Sequence, residues 1–304
     1  IKKIDFSRAL CLKGIHKILI GKDFAEISNP LMSVIRTEFN SWCCALDEVH
    51  YVGEPIAIIL ADSRYIGEDA LSLITVDYSI KKPVIDIDEA VKTKSKLVHN
   101  STKSNVVSDR FFEYGNPDKY FNDDKKIVEI KVDYPRNSCT PLEGFVVHSL
   151  HESETNIYNV KSNFQGPFSL HSVLFRSLGV DEGKLRLESF KDSGGSFGIK
   201  QAIMPMIILT CLASKITKRQ VVWIEDRIEH LTAASSATGR STKIRASVRK
   251  NGFINALEYD QIDDVGAYPR APEPASLYRM HGNLSGPYKV KNIKCRNRVV
   301  LTNK

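Results

Sequence analysis

The pattern of hydrophobic and polar positions predicts a small α/β unit near the start of the chain. Residues 56–61 are a continuous apolar run after Pro55, as in a short strand covered on both faces. Apolar residues at spacings of four and three predict a helix over residues 65–73, and residues 74–78 alternate like a half-buried strand. Together these segments predict one strand–helix–strand unit.

The pattern after residue 127 predicts a larger region that mixes strands and helices. Gln165-Gly166-Pro167 opens a helix that stops at Gly179, and the spacing of Asp226 and Glu229 predicts a capping box at the start of another. Residues 202–213 form an apolar helical run. Alternation predicts strands, with a hairpin turn at Asn251-Gly252, over residues 128–134, 145–150, 156–160, 185–188, 221–224, 244–248 and 254–260.

These elements predict a mixed α/β and α+β fold in two domains. We assign residues 1–100 to an α/β domain and residues 127–304 to an α+β domain. Residues 101–126, rich in Ser, Asn, Asp and Lys, are assigned to a connecting segment, which is either an ordered crossing or a disordered linker.

Composition narrows the classes of function. The net charge of +7 is spread along the chain, without the basic stripe of a nucleic-acid binder, so no nucleic-acid partner is expected. No apolar run approaches the roughly 20 residues of a membrane span, and no signal peptide is visible. The six cysteines contain no C-x-x-C pair, so we expect no zinc or iron–sulfur site within this chain; scattered thiols suit a reducing cytoplasm.

A glycine-rich stretch between a predicted strand and a predicted helix carries the candidate chemistry. It reads Asp192-Ser193-Gly194-Gly195-Ser196-Phe197-Gly198-Ile199-Lys200. Without Cβ atoms in the way, main-chain N–H groups can approach a ligand closely, and the helix start adds unpaired donors. The stretch is either a site for an anion or an oxo group, or a tight turn.

Several segments stand in a characteristic order: Val52-Gly53-Glu54-Pro55 through Asp77-Tyr78, Pro141-Leu142-Glu143, Gln165-Gly166-Pro167-Phe168, Gly194 to Lys200, and Asp264-Val265-Gly266-Ala267-Tyr268. Together they resemble the N-terminal portion of the molybdenum-binding large subunit of the xanthine oxidase and carbon-monoxide dehydrogenase family. The first is similar to its hammerhead α/β domain, and Gly194 to Lys200 is similar to its Gly-Gly-Gly-Phe-Gly-x-Lys loop in the first cofactor-binding domain. Residues 223–231 are most similar to carbon-monoxide dehydrogenase large chains and archaeal aldehyde oxidoreductases. Gln201, where purine-oxidising members carry Glu, argues against xanthine as the substrate.

The resemblance implies a molybdenum–pterin cofactor, as molybdopterin or its cytosine dinucleotide form, and no protein ligand to the metal. The implied cofactor-binding residues are Gln165, Gly194, Gly195, Ser196, Phe197 and Gly198. In this interpretation Gln165 donates a hydrogen bond to a molybdenum oxo group, and Phe197 and Gly198 donate main-chain N–H groups. The alternatives are that Gln165 is a helix-capping surface residue and that Phe197 is a core aromatic that anchors the loop. For Glu143 we expect hydrogen bonds to nearby backbone.

The resemblance also implies partners and a reaction. The chain stops at Lys304, before the family's arginine-containing loop, its second molybdenum domain and the glutamate that acts as general base. No catalytic residue is therefore expected in this chain, which alone should be inactive. The expected partners are the C-terminal half of the large subunit, an iron–sulfur subunit and an FAD subunit, in a dimer of the assembled complex. An exposed apolar surface is expected around Phe197 and residues 202–214, where the absent domain would dock.

The implied reaction is oxidation of an aldehyde or carbon monoxide using water, with electrons passed to the partner subunits. The alternatives are a catalytically inert remnant or scaffold with this fold, and a dinucleotide-binding enzyme. The last is disfavoured because the glycine stretch lacks the G-x-G-x-x-G spacing.

Overall fold

The structure is a computed structural model that describes residues 1–33, 35–123, 126–269 and 280–304. Its helices are α1 Ser7–Leu10, α2 Gly21–Ala25, α3 Arg64–Leu71, α4 Ile87–Ala90, α5 Pro117–Asp123, α6 Pro167–Ser177, α7 Met204–Thr217 and α8 Arg227–Ala233. Its strands are β1 Lys3–Asp5, β2 Ile15–Ile20, β3 Ala57–Ala61, β4 Thr75–Asp77, β5 Val106–Tyr114, β6 Ile127–Tyr134, β7 Val146–Glu152, β8 Ile157–Ser162, β9 Leu185–Ser189, β10 Val221–Ile224, β11 Gly239–Val248, β12 Ile254–Asp264 and β13 Asn292–Val300.

Two units share these elements, and each unit is assembled from separate stretches of chain. Unit 1 comprises Ile1–Met32, Asn40–Lys82 and Cys139–Ser235. Unit 2 comprises Ser33–Phe39, Pro83–Ser138 and Ser236–Lys304. The predicted domain boundaries at residues 100 and 126 stay a prediction.

The N-terminal part of unit 1 contains two small antiparallel sheets. β1 pairs with β4, and β2 pairs with β3. The prediction that β3 and β4 belong to one strand–helix–strand unit is therefore wrong. Each of them pairs with a strand from the first 20 residues, where the hydrophobic pattern predicts no strand. The cover on both faces predicted for residues 56–61 is also wrong, because in β3 only Leu60 is buried.

The rest of unit 1 is a four-stranded sheet with the order β10-β7-β8-β9, in which β9 runs parallel to β8 and the other pairs are antiparallel. Helix α6 begins as predicted, with Pro167 in its first turn after Gly166, whose φ of 68° suits glycine. The predicted capping box at α8 is confirmed, since Asp226 and Glu229 bond each other's backbone N–H.

Helix α7 is the core of unit 1. Most of its residues are buried, including Ile207, Cys211 and Leu212 at 0% exposure. The predicted exposure of residues 202–214 is wrong, because this helix is apolar on all sides and is enclosed by its own unit. The helical stretch Ile199–Thr217 is long and apolar enough to cross a membrane, although the sequence analysis predicted no such run. Of its most apolar 18 residues, 72% are buried inside the protein, as in the core helix of a globular unit.

Unit 2 is built on a five-stranded sheet with the order β5-β13-β12-β11-β6. β12 and β13 are parallel, and the other neighbours are antiparallel. The predicted hairpin is confirmed as β11 and β12, with Gly252 at a φ of 85° in its turn. The segment predicted as a connection contains β5, which pairs with β13, and α5.

Candidate functional site

The glycine-rich loop that joins β9 to the turn before α7 has a backbone that ordinary residues rarely adopt. φ is positive at Gly195 (59°), Phe197 (52°) and Gly198 (94°), but not at Ser196 between them. Phe197 is thus a non-glycine residue in the left-handed region, which costs about 1–2 kcal/mol. Alternation of this kind turns successive N–H groups toward one concave side and makes an anion-binding nest.

Four consecutive N–H groups of the loop have no protein acceptor. Within the described ranges, no hydrogen bond is made by the backbone N–H groups of Gly195, Ser196, Phe197 and Gly198. The flanking N–H groups are bonded: Gly194 donates to Glu143, and Ile199 donates to the Ser196 carbonyl at 3.2 Å. The four free donors are therefore a localised set on an exposed loop.

Gln165 reaches the same loop from the segment before α6. Its side-chain Oε1 accepts a hydrogen bond from the Ser196 hydroxyl, and its backbone N–H donates to the Lys200 carbonyl at 3.4 Å. Residues about 30 apart in sequence thus converge, as predicted. Gln165 does not cap α6, because Gly166 holds the N-cap position and no side chain bonds there.

Space remains where a ligand would contact the loop. A Cβ added at Gly198 would meet nothing within 4 Å, and one at Gly195 would make only ordinary contacts, the nearest being Pro141 Cβ at 3.6 Å. The Phe197 side chain is 75% exposed, so the alternative of a core aromatic is wrong. Phe168 and Leu142 are also exposed, at 93% and 95%.

An ion pair between a buried lysine and a partly exposed glutamate holds the loop at its two ends. Lys200 is 1% exposed, and its Nζ lies 2.5 Å from Glu143 Oε1 and 3.0 Å from the Gly194 carbonyl oxygen. Glu143 also accepts hydrogen bonds from Asn163 Nδ2 at 2.5 Å and from the Gly194 N–H at 2.7 Å. The expectation that Glu143 bonds only nearby backbone is wrong, because Gly194 lies 51 residues further along the chain.

The electrostatics of Glu143 follow from these contacts. Burial alone would raise the pKa of its carboxyl group, but hydrogen bonds from Lys200, Asn163 and Gly194 outweigh burial and lower the pKa to about 2. Glu143 is therefore ionised at neutral pH and compensates the Lys200 charge. With the Lys200 charge compensated, the free N–H groups provide positive potential on the open side of the loop.

Arg227, at the start of α8, holds the segment before Glu143. Its guanidinium donates to the carbonyl oxygens of Pro141, at 3.0 Å, and of Leu142. The sequence analysis gave no role to Arg227, Asn163 or Lys200. Lys200 was visible as the last residue of the glycine motif, but no local signal marked the other two.

The predicted site residues thus come together, and their role toward a cofactor stays a prediction. The arrangement combines exposed N–H donors, one side-chain amide and an open approach, which together suit an acceptor such as an oxo group. The motif Asp264 to Tyr268 belongs to unit 2. There Asp264 Oδ1 accepts hydrogen bonds from the Gly266 N–H at 2.9 Å and the Thr302 hydroxyl at 2.6 Å.

Two family profiles match the sequence along nearly its whole length. Residues 1–82 match the a/b hammerhead domain of aldehyde oxidase and xanthine dehydrogenase. Residues 98–304 match the molybdopterin cofactor-binding domain. Both profiles describe parts of one class of protein, the large subunits that bind a molybdopterin.

Individual relatives agree with these profiles. The chain is 26% identical to the carbon monoxide dehydrogenase large chain of Hydrogenophaga pseudoflava, covering 100% of this chain and 39% of that one. Its fold matches quinoline 2-oxidoreductase from Pseudomonas putida 86 with a TM-score of 0.91 and 27% identity, over 99% of this chain and 39% of that one. It matches aldehyde oxidoreductase from Desulfovibrio gigas with a TM-score of 0.87 and 22% identity, over 99% and 33%.

The chain belongs to the molybdopterin-binding large subunits of the xanthine oxidase and carbon monoxide dehydrogenase family. The predicted fold, a hammerhead domain followed by a cofactor-binding domain, is confirmed. The chain spans 39% of the length of the first of these relatives.

Proposed function

We propose that this chain is the N-terminal part of a molybdenum hydroxylase large subunit, and that its glycine loop and Gln165 hold the cofactor. One observation carries the proposal: four consecutive N–H groups without an acceptor among the described residues follow one another on the loop that Gln165 contacts, and the Lys200 of that loop is paired with Glu143. The alternating signs of φ that aim these donors to one side include a non-glycine residue, Phe197, in the left-handed region, which a turn that only reversed the chain would not require.

The residues fit a group that presents oxo acceptors. The N–H groups of Phe197 and Gly198 and the Nε2 of Gln165 would hold it, and the space beside Gly198 would admit it. Bound there, the cofactor supplies two-electron redox chemistry that amino-acid side chains lack. The protein's own part is to orient the cofactor with fixed dipoles, which need no reorganisation during reaction.

The surrounding side chains add an apolar environment. Leu142, Phe168 and Phe197 are each more than 70% exposed, so on the isolated chain these apolar side chains face solvent. In the assembled enzyme we expect them to be covered by the rest of the subunit, which would also exclude water from the site. The apolar surface predicted around Phe197 is thus exposed in the structure, whereas the surface predicted on α7 is buried.

For the reaction we propose oxidation of an aldehyde or carbon monoxide using water. Electrons would pass to an iron–sulfur subunit and a flavin subunit, in a cytoplasmic complex that dimerises. The relatives' names point to carbon monoxide, quinoline and aldehydes, so family membership alone leaves the substrate open. Glu143, the carboxylate that contacts the loop, is engaged with Lys200 and is not free to act as a base, so the isolated chain should not turn over.

Cofactor content tests the proposal directly. The chain, produced in a host that makes molybdopterin and purified with the remainder of its large subunit, should contain molybdenum and pterin in a 1:1 ratio. Gln165→Ala should keep the cofactor and lower kcat, whereas Gly195→Val should abolish loading, because a branched side chain is strained at a φ of 59° and occupies the approach. Gln220→Ala, a change at a glutamine outside the loop, is the matched control.

Two results would contradict the proposal. Wild-type protein that holds no molybdenum in such a host would indicate the inert scaffold instead. Equal cofactor content in wild type and Gly195→Val would place the cofactor elsewhere.

A further inference from the structure

Ser196 interrupts the run of glycines in the loop. In the pattern that this loop resembles, Gly-Gly-Gly-Phe-Gly-x-Lys, a third glycine stands at this position. Here the position carries a hydroxyl group, and that hydroxyl makes two hydrogen bonds. It donates to Gln165 Oε1, and it accepts the backbone N–H of Lys200 at 3.2 Å.

The hydrogen-bonding capacity of each group limits how this contact can form. A serine hydroxyl has one hydrogen to donate, and its oxygen accepts. The Lys200 N–H can only donate, so it uses a lone pair of Ser196 Oγ and leaves the hydroxyl hydrogen available. In the described residues, Gln165 Oε1 is the acceptor that this hydrogen finds.

The contact sets the direction of the whole amide group. When Oε1 faces Ser196, the Nε2 of Gln165 points away from Ser196, because the two atoms lie in the amide plane on opposite sides of the Cγ–Cδ bond. Nε2 carries two hydrogens and has no protein acceptor among the described residues. The outward side of Gln165 is then a donor only, and the residue that Gln165 contacts, Ser196, directly precedes the free N–H groups of Phe197 and Gly198.

A glycine at position 196 would leave this direction unset. An exposed amide with no fixed partner can rotate by half a turn and present either its oxygen or its nitrogen. An outward oxygen would repel an oxo ligand, and an outward nitrogen would bind it. The Ser196 hydroxyl group therefore holds the Gln165 amide in the orientation that can bind an oxo ligand. Without it, the amide would present its oxygen to the ligand part of the time.

We propose that Ser196 is a positioning residue that fixes the Gln165 amide with its NH₂ group toward the cofactor. The inference rests on the proposed function for the identity of the ligand, but the orientation itself is a property of the protein alone. It can therefore be measured on the full chain without cofactor.

Nuclear magnetic resonance of labelled glutamine side chains tests the orientation. The chain holds four glutamines, Gln165, Gln201, Gln220 and Gln261, so glutamine labelled at Cδ and Nε2 gives four resolvable amide groups. A carbonyl carbon is deshielded when its oxygen accepts a hydrogen bond. Ser196→Ala and Ser196→Gly should therefore shift the Gln165 Cδ resonance upfield, and Ser196→Thr, which keeps the hydroxyl, should restore it.

The controls separate a lost hydrogen bond from a lost fold. The signals of Gln220, in the same unit, and of Gln261, in the other unit, should stay unchanged in all three variants. An unchanged Gln165 Cδ resonance in Ser196→Ala would overturn the inference. A shift at Nε2 instead of Cδ would also overturn it, since Nε2 would then be the atom that faces Ser196.

A second measurement keeps this inference apart from the proposed function. The kcat of the reconstituted enzyme, made in the host that supplies the cofactor, should fall in Ser196→Ala and return in Ser196→Thr, with molybdenum retained in both, as for Gln165→Ala. If wild type retains no molybdenum while the Cδ shifts behave as expected, the proposed function fails and the positioning by Ser196 stands. If all variants retain molybdenum equally and Cδ does not move, the proposed function stands and the positioning fails.

Discussion

Lys200 Nζ lies 2.5 Å from Glu143 Oε1, and the N–H of Gly194 lies 2.7 Å from the other oxygen of the same carboxylate. One carboxylate thus binds both ends of the glycine loop, which runs from Gly194 to Lys200. The donors between these ends are left free for a ligand. The loop is held by a charge pair on one side so that its other side can stay open.

Loss of the Glu143 charge should destabilise unit 1. Glu143→Gln leaves Lys200, at 1% exposure, without its counter-charge. Because the Glu143 side chain is itself 35% exposed, we expect a loss of about 2 kcal/mol in the free energy of unfolding, between the values for an exposed and a fully buried pair. Both tryptophans, Trp42 and Trp223, belong to unit 1, so urea unfolding followed by tryptophan fluorescence reports on this unit.

The control is an exposed pair in the same unit. Lys161 and Glu188 lie 2.8 Å apart with side chains 39% and 70% exposed, so Glu188→Gln should cost less than about 1 kcal/mol. An equal loss of unfolding free energy in the two variants would show that the burial of Lys200 does not make its ion pair more stabilising than an exposed pair.

The same carboxylate predicts an acid limit for unit 1. Its pKa is lowered from 4.5 to about 2 by folding, so its contribution to stability is complete above pH 4.5 and is lost as the pH falls toward 2. The stability difference between wild type and Glu143→Gln should therefore be constant from pH 7 to 5 and shrink below pH 4.5. A difference that did not change between pH 5 and pH 3 would show that Glu143 does not titrate in this way.

Gly198 and Gly252 allow a matched test of the space beside the loop. Both have a strongly positive φ, 94° and 85°, and a Cβ at either would meet nothing within 4 Å. Alanine at each should therefore bring a similar backbone strain of about 1–2 kcal/mol. Only Gly198→Ala should lower the cofactor content, by at least about tenfold, or about 1.4 kcal/mol of binding free energy. Equal cofactor content in the two variants would contradict the placement of the cofactor at this loop.

Asp226 joins helix α8 to helix α3. It caps α8 by accepting the Glu229 N–H at 2.7 Å, and it accepts a hydrogen bond from Arg64 Nη2 at 2.9 Å. Asp226→Ala should lower the stability of unit 1 by about 1–2 kcal/mol, mostly through the lost cap. Asp226→Asn keeps a capping oxygen but loses the charge, so it should recover most of this loss in the same urea experiment. An Asn variant as unstable as the Ala variant would make the Arg64 pair the dominant contact.

The sequence predicted those parts of the fold whose signals are local. The capping box of Asp226 and Glu229 and the Asn251-Gly252 turn depend on neighbours within four residues, and both are confirmed. The pairing of β3 and β4 was wrong because pairing partners are chosen over the whole chain. Strand β13 was missed although its inward positions alternate, because the polar Asn297 stands at one of them and the outward positions of the strand are mostly charged or polar.

The site shows the same division between local and distant information. The glycine stretch and Gln165 were found by their residue types and order. The Lys200–Glu143 pair joins residues 57 apart and could not be seen in the sequence, since nothing local distinguishes a buried lysine from the exposed ones. The exposure predicted for α7 was wrong, and the sequence itself contained the contrary signal. The residues of this helix are apolar on every side, which indicates a buried helix rather than an amphipathic docking surface.

The interleaved segments of the two units have a consequence for synthesis on the ribosome. Strand β5 ends at Tyr114, but its partner β13 begins at Asn292, roughly 180 residues later, which corresponds to about 9–36 s at 5–20 residues per second. Strand β6, which ends at Tyr134, likewise has no partner until β11 has been synthesised. During this interval unit 2 cannot close its sheet, whereas all three segments of unit 1 have emerged once Ser235 is made. The nascent chain therefore completes its glycine loop while β5 and β6 are still unpaired, and their open edges can aggregate until β11 and β13 have been made.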